Sequence, residues 1–144
     1  MFDIASHIKK NLSGVLAGLP CFCTANELVL RSVFQYARDH NVPAVIEATC
    51  NQVNQEGGYT GMRASDFRAW IDALAAEYSV VTDNIVLGGD HLGPNPWRHL
   101  SAQQAMDKAD VLVKDYAAAG FRKIHLDASM ACADEPTPLS LIHI

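Results

Sequence analysis

NIVLGGDHLGPNPW, residues 84–97, is the stretch on which the fold turns. It opens on the apolar run Ile85-Val86-Leu87, passes through Gly88-Gly89, and delivers the polar pair Asp90-His91 before Leu92-Gly93-Pro94-Asn95-Pro96 breaks regular structure. A short continuous apolar run bounded by turn residues reads as a strand buried on both faces, the pattern of a parallel sheet. In such folds chemistry gathers at the carboxyl ends of the strands. Taken alone, Asp90 reads first as a turn or cap residue and His91 as a hydrogen-bonded surface imidazole. The surrounding chain is what raises the pair to a candidate site.

Working upstream, Pro43-Ala44-Val45-Ile46-Glu47-Ala48-Thr49 reads as another strand. Period-two alternation puts Val45, Glu47 and Thr49 on one face and Ala44, Ile46 and Ala48 on the other. A carboxylate near the end of a strand is unusual for packing alone. The polar loop after it, CNQVNQEGGYTGMRA (50–64), is rich in glycine and in Asn and Gln amides, groups that suit hydroxyl-rich ligands because they donate and accept without charge. An ordinary surface loop has the same composition. Further upstream, Gly18 to Cys23 reads as a first strand. Residues 2–13 carry Ile4, Ile8 and Leu12 at helical spacing, with Gly14 placed to stop the helix. A helix over 26–40, capped by Thr24 or Asn26, would bury Leu28, Leu30, Val33, Phe34 and Ala37.

Downstream of the 43–49 strand, Ser65 is placed to cap a helix over 65–78 with Phe67, Trp70, Ile71 and Leu74 inward. Ser101 starts a helix over 101–118, buried through Ala105, Ala109, Val111, Leu112 and Tyr116 and ended by Gly120. Lys123 to Ser129 reads as a fourth strand, with His125, Asp127 and Ser129 sharing one face. The order is a helix followed by alternating strands and helices, which implies an α/β fold with a parallel sheet and right-handed crossovers. A doubly wound sheet and a TIM (β/α)8 barrel both satisfy that order. There is no GxGxxG and no P-loop. Polar groups end the second, third and fourth strands alike, as in a ring of loops around one mouth, so the barrel is the expectation.

Four strands are half of an eight-stranded barrel, which typically takes about 250 residues. The 144-residue chain ends on Leu141-Ile142-His143-Ile144 without a cap or a helical pattern. The expectation is the N-terminal half of one barrel domain over residues 1–139, from a longer protein, with residues 140–144 set apart as a doubtful tail. Composition agrees with a globular domain: 49% hydrophobic, 19% charged and a net charge of −5 with scattered Lys and Arg. That excludes a basic nucleic-acid footprint. No run approaches the roughly 20 apolar residues of a membrane span. The start lacks the apolar segment of a signal peptide, so the expected compartment is cytoplasmic. Cys21-Phe22-Cys23 has the wrong spacing for a zinc ribbon, and the four cysteines read as small, mostly buried, reduced residues.

Three segments, IEATCNQVNQEGGYTGM (46–62), LGGDHLGPNPW (87–97) and AGFRKIHLDASMACADEPTPL (119–139), resemble the non-catalytic, Z-type subunit family of class II D-tagatose-1,6-bisphosphate aldolase, used in galactitol and N-acetylgalactosamine breakdown. The resemblance runs from about residue 12 to 139 in the same order and spacing, and its long motifs are specific. It implies a TIM barrel, a catalytic aldolase subunit as partner, and a sugar phosphate as ligand. Some members carry the name tagatose-6-phosphate kinase, and some relatives are ketohexose 4-epimerases. By distant similarity to the zinc aldolases themselves, Asp90 matches their acid-base residue, His91 one ligand of Zn²⁺ or another divalent metal, and Asp127-Ala128-Ser129 their strand-four motif. The other histidine ligands would then come from later strands. Glu47, Asn51, Gln52, Asn54, Asp127 and Ser129 are the expected sugar contacts. Lys123, at the N-terminal end of its strand, is placed away from the mouth, which argues against Schiff-base chemistry in this segment. Three functions are carried forward: accessory subunit, metal-dependent aldolase or epimerase in its own right, and sugar-phosphate kinase.

Overall fold

In the computed structural model, residues 2–16 and 18–135 are described. They form α1 (Ile4–Leu12), β1 (Cys21–Cys23), α2 (Glu27–His40), β2 (Ala44–Thr49), α3 (Ala64–Glu77), β3 (Ile85–Leu92), α4 (Ala102–Ala118) and β4 (Lys123–Leu126). All three strand pairings are parallel and the sheet order is β1-β2-β3-β4. A doubly wound sheet reverses direction at a switch point. Here each new strand is added on the same side of the last, which is the winding of a barrel. The fold is α/β, three βα units and a fourth strand forming half of a TIM barrel. No helix among the described residues is long and apolar enough to cross a membrane.

Alternation along the strands sorts the two faces. Ala44, Ile46 and Ala48 of β2 and Ile85 and Leu87 of β3 pack under the helices with Leu30 and Phe34 of α2, Phe67, Ile71 and Leu74 of α3, and Leu112 and Tyr116 of α4. Burying each large side chain contributes about 1.5–3 kcal/mol, which fixes the helices to one side of the sheet. Val45, Glu47, Val86 and Gly88 alternate with that set and line the opposite, barrel-interior face.

Local chemistry sets most element ends. The Asn26 side chain accepts from the N–H groups of Leu28 and Val29, and the Ser101 hydroxyl accepts from Gln104. Other expected details need correction. α3 begins at Ala64, one residue before the expected cap Ser65, because the Asp66 carboxylate accepts from the Arg63 N–H and closes the first turn. Leu28 and Val111 sit on the solvent side of their helices, being one helical step off the buried stripes Leu30-Val33-Phe34-Ala37 and Ala105-Ala109-Leu112-Tyr116. β3 continues two residues past Asp90, and β4 ends at Leu126, so Asp127 and Ser129 stand in the loop after it. Cys50 and Cys132 are buried as expected, but Cys21 and Cys23 are exposed on the interior face. Residues 140–144 lie outside the described residues.

Tyr116 ties this core to the loop that follows β2. Its ring is fully buried, and its hydroxyl donates to the Val53 carbonyl at 2.9 Å, with the Thr49 carbonyl at 3.3 Å. Burial pushes its pKa up, so it stays a donor. Tyr116→Phe takes this donor from the Val53 carbonyl, while the Thr49 carbonyl keeps its backbone donors from Gln52 and Val53, and should cost about 1–3 kcal/mol. A lower urea midpoint at unchanged m-value would show it; an unchanged midpoint would show that the hydroxyl contributes nothing.

Candidate functional site

The sheet is regular until its third strand reaches the polar pair. β3 and β4 are in register at Gly88↔Lys123 and Gly89↔Ile124, then again at Leu92↔Leu126. Between those points β3 carries Asp90 and His91, whereas β4 carries His125 alone. This is a β-bulge, which bends a strand and re-aims its side chains. His91 is the residue that absorbs it, with φ at 51° in the left-handed region that non-glycine residues seldom occupy. The bulge is held from both sides. The Cys50 thiol donates to the His91 carbonyl at 3.2 Å, and the Asp127 N–H donates to the Leu92 carbonyl at 2.9 Å.

The consequence is a cluster that plain alternation would not make. Asp90 Oδ1 lies 2.9 Å from His91 Nδ1 and 3.1 Å from His125 Nδ1, and the two imidazole rings are 4.2 Å apart. Burial alone would raise the Asp90 carboxyl, but hydrogen bonds from His125, His91 and Cys23 outweigh it and hold the group below its usual value. Desolvation, then the hydrogen bond and charge of Asp90, push the Cys23 thiol up to about 12. Because Cys23 is exposed as a residue, its contact with Asp90 is the sturdier cause. Asp127 is held below its usual value chiefly by Ser129, whose N–H donates to Oδ1 at 2.8 Å, and also by the nearby His91 and His125. Asp127 therefore stands beside the cluster, and Ser129 orients it.

Below the cluster runs one polar rung. Cys23, Glu47, Gly88 and Lys123 are laterally paired across the four strands. Lys123 reaches across β3 to form an ion pair with Glu47, which is 4% exposed. That reach needs the bare glycine, since a Cβ on Gly88 would press on the Glu47 side chain at 3.0 Å. The ammonium meets Oε1 as a charge contact, without hydrogen-bond alignment. Burial alone would lower the Lys123 pKa, but Glu47 raises it on balance. Lys123→Met would strand a buried carboxylate. Breaking a fully buried pair costs about 3–5 kcal/mol. With Lys123 34% exposed, about 1–3 kcal/mol is expected here. Adding Glu47→Gln should return part of that loss in a double-mutant cycle, and strict additivity would show that the pair is uncoupled.

The amide-rich loop is ordered largely by its own side chains. Gln52 and Asn54 are buried, and Asn51 is exposed. Gln52 Oε1 accepts from the Thr49 N–H, while Asn54 donates to the Cys50 carbonyl and accepts from Glu56 and Gly58. Glu56 then accepts from the Trp97 indole at 3.0 Å and pairs with Lys108, clamping this loop to the one after β3. Beside it, Thr24, Asn26, Gln52, Tyr59, Thr60 and Trp70 line an open cavity of about 530 Å³.

The sequence singled out Asp90 and His91 and aimed the face of His125, Asp127 and Ser129 at a polar interior or a site, but gave His125 no specific role there. Lys123 was read at the N-terminal end of its strand, away from the mouth, and it does begin β4; what the sequence did not show is its ion pair with Glu47 one rung beneath the cluster. The donor chemistry fits a divalent metal: among the described residues, Asp90, His91 and His125 are the group whose ligand atoms all lie within 4.8 Å of one another. A carboxylate with imidazoles is a ligand set that zinc accepts in catalytic sites, where three protein ligands leave one position open.

Residues 4–144 match the family model described as D-tagatose-1,6-bisphosphate aldolase subunit GatZ/KbaZ-like. The chain is also similar to the crystal structure of a probable tagatose 6 phosphate kinase from Sinorhizobium meliloti 1021, at 52% sequence identity and a TM-score of 0.81. That similarity covers 85% of this chain and 32% of the other, so the chain spans about a third of the length of that relative.

Proposed function

We propose, since this chain belongs to the D-tagatose-1,6-bisphosphate aldolase subunit GatZ/KbaZ-like family, that it is part of an accessory subunit that stabilises and activates a catalytic aldolase subunit. The observation that carries this reading is the family match over residues 4–144, whose description is that of an aldolase subunit. The setting proposed is cytoplasmic breakdown of galactitol or N-acetylgalactosamine, with a sugar phosphate as ligand. In that site Asp90 moves a proton between itself and a sugar hydroxyl. His91 would hold Zn²⁺ or another divalent metal, which supplies Lewis-acid polarisation of a ketose carbonyl. Glu47, Asn51, Gln52, Asn54, Asp127 and Ser129 are the proposed sugar contacts, with Glu47 held in place by Lys123.

The Asp90-His91-His125 cluster favours a second reading, in which the protein works on a ketose sugar itself as a metal-dependent aldolase or 4-epimerase. The similarity to a protein named a probable tagatose 6 phosphate kinase supplies the third. Residues 1–144 contain no P-loop to cradle a nucleotide's phosphates, which places it last. One set of assays separates them. The full-length protein is added to the zinc-loaded catalytic aldolase subunit without chelator, and also incubated alone with tagatose 1,6-bisphosphate and with tagatose 6-phosphate, with and without ATP. The accessory reading expects higher activity and a longer half-life of the partner and no turnover alone. Turnover alone without ATP would establish the second reading, and ATP consumption the third.

A further inference from the structure

We propose that Asp90, His91 and His125 together form a divalent transition-metal site of the two-imidazole, one-carboxylate type, with β4 supplying a ligand through His125. The inference deepens the metal reading for His91 above and does not depend on the accessory role. The expectation from sequence was a site completed by histidines on later strands. The geometry points instead to three donors within four strands.

The bulge is the first reason. Without the extra residue in β3, Asp90 and His91 would fall on opposite faces of the sheet, as successive strand residues do. With His91 in the left-handed region, both imidazoles present Nδ1 to the same Asp90 oxygen. Strain of this kind persists where the surroundings over-determine it, and here the Cys50 thiol holds the His91 carbonyl and the Asp127 N–H that of Leu92 after it.

The spacing is the second reason. Donor atoms each about 2.0–2.2 Å from one zinc ion sit roughly 3 Å or slightly more from each other. The carboxylate-to-imidazole separations are 2.9 and 3.1 Å, and all three ligand atoms fall within 4.8 Å. Both imidazoles are open to solvent on their far sides, at 56% and 46% side-chain exposure, so an ion has a path in. Asp90 contributes Oδ1, the oxygen that both rings face, which leaves Oδ2 for the proton transfer proposed above. Next to the site, Asp127 takes its hydrogen bond from the Ser129 N–H and is not used as a ligand.

The test is metal binding by the full-length protein, stripped by chelation and titrated with Co²⁺ and with Zn²⁺. The readouts are the visible Co²⁺ bands, the calorimetric affinity and the metal-induced rise in melting temperature. His125→Asn keeps a polar side chain, though a smaller one, while removing the imidazole. It should weaken Zn²⁺ by more than the about 10–100-fold that loss of an outer hydrogen-bond partner costs, and should change the Co²⁺ spectrum. His91→Asn should do the same, whereas His40→Asn, on the outer face of α2, should leave both unchanged. Circular dichroism on each variant separates loss of a ligand from loss of fold, and His125→Cys, which restores a zinc donor, should regain part of the affinity in a chain that folds. Parent-like affinity and spectrum in His125→Asn would overturn the proposal, as would a parent protein that takes up neither ion. Either result leaves the partner-activation assay, run with the zinc-loaded partner, to judge the accessory reading on its own.

Discussion

Alanine at position 93 should prevent β4 from docking beside β3. The glycine lies against the backbone of residue 127, and a Cβ built on it would overlap the Asp127 carbonyl oxygen. The obstacle is main chain, so no side-chain rotation relieves it. The same two segments are joined by the hydrogen bond from the Asp127 N–H to the Leu92 carbonyl, so the overlap falls where the exits of β3 and β4 come together. Accommodating the methyl group means separating those exits, which breaks that bond and dismantles the bulge that places His91 beside His125. A loss of at least about 4 kcal/mol is expected, at the extreme of single substitutions. That is a large part of the roughly 5–15 kcal/mol by which a domain is stable. Gly18→Ala is the control, since a Cβ there meets nothing within 4 Å. Urea denaturation of the full-length protein measures both. A Gly93→Ala chain as stable as the Gly18→Ala chain would show that the two loops are free to part.

This glycine also shows where sequence reading stops. LGPNPW announced a break in regular structure, and one is present as a 3-10 turn over Asn95–Trp97. Nothing in those letters says that Gly93 touches a residue 34 positions later, because close approach of two backbones is a property of the closed sheet. The fold was legible for a different reason. Buried parallel strands and amphipathic helices write their burial locally, and Ile85-Val86-Leu87 or Leu30-Val33-Phe34-Ala37 can be read one element at a time. Sheet order then separated the barrel from the doubly wound sheet, and that is a pairing property which alternation alone leaves open.

At the site, Asp90 and His91 were legible as polar residues at the end of an apolar run. The role of His125 was not. Alternation put it on a face with Asp127, but its partner across the sheet depends on a one-residue register shift, and a shift moves every later side chain. A histidine at the bulge is the one available signal: His, Asn and Asp tolerate a positive φ better than most residues, yet that preference is too weak to locate a bulge in a sequence. Lys123 stands at the N-terminal end of its strand as read, but its partner was not legible. Its Cα is at the start of β4, but its side chain spans β3 because Gly88 leaves the rung open.

Expressed alone, residues 1–144 should not behave as a stable monomer. The sheet has two open edges, β1 and β4, whose outer N–H and C=O groups have no strand beside them among the described residues. Unpaired edges of this kind recruit another chain. The interior face adds a second drive. Cys21, Cys23 and His125 are exposed on it, and Leu126, at 65%, and Met130, at 42%, are exposed near the same β4 edge. At the other end of the sheet α1 leaves Leu12 at 82% exposure, followed by Leu16 at 100%. A ring needs about eight strands before every edge is paired and the interior layers are filled. Two copies related by a twofold axis along the ring would supply them, with β4 of each beside β1 of the other, and the symmetry closes after two. The Lys123-Glu47 rungs would then face each other across the interior, two cations and two carboxylates enclosed together, so the closed pair should be weak and salt-sensitive rather than hyperstable. Sedimentation at micromolar concentration should therefore show a dimer, or larger aggregates, with loss of soluble material as it is diluted and heated. A monomer with one sharp unfolding transition would mean that a four-stranded half-ring suffices as a domain, and that the exposed interior is tolerated.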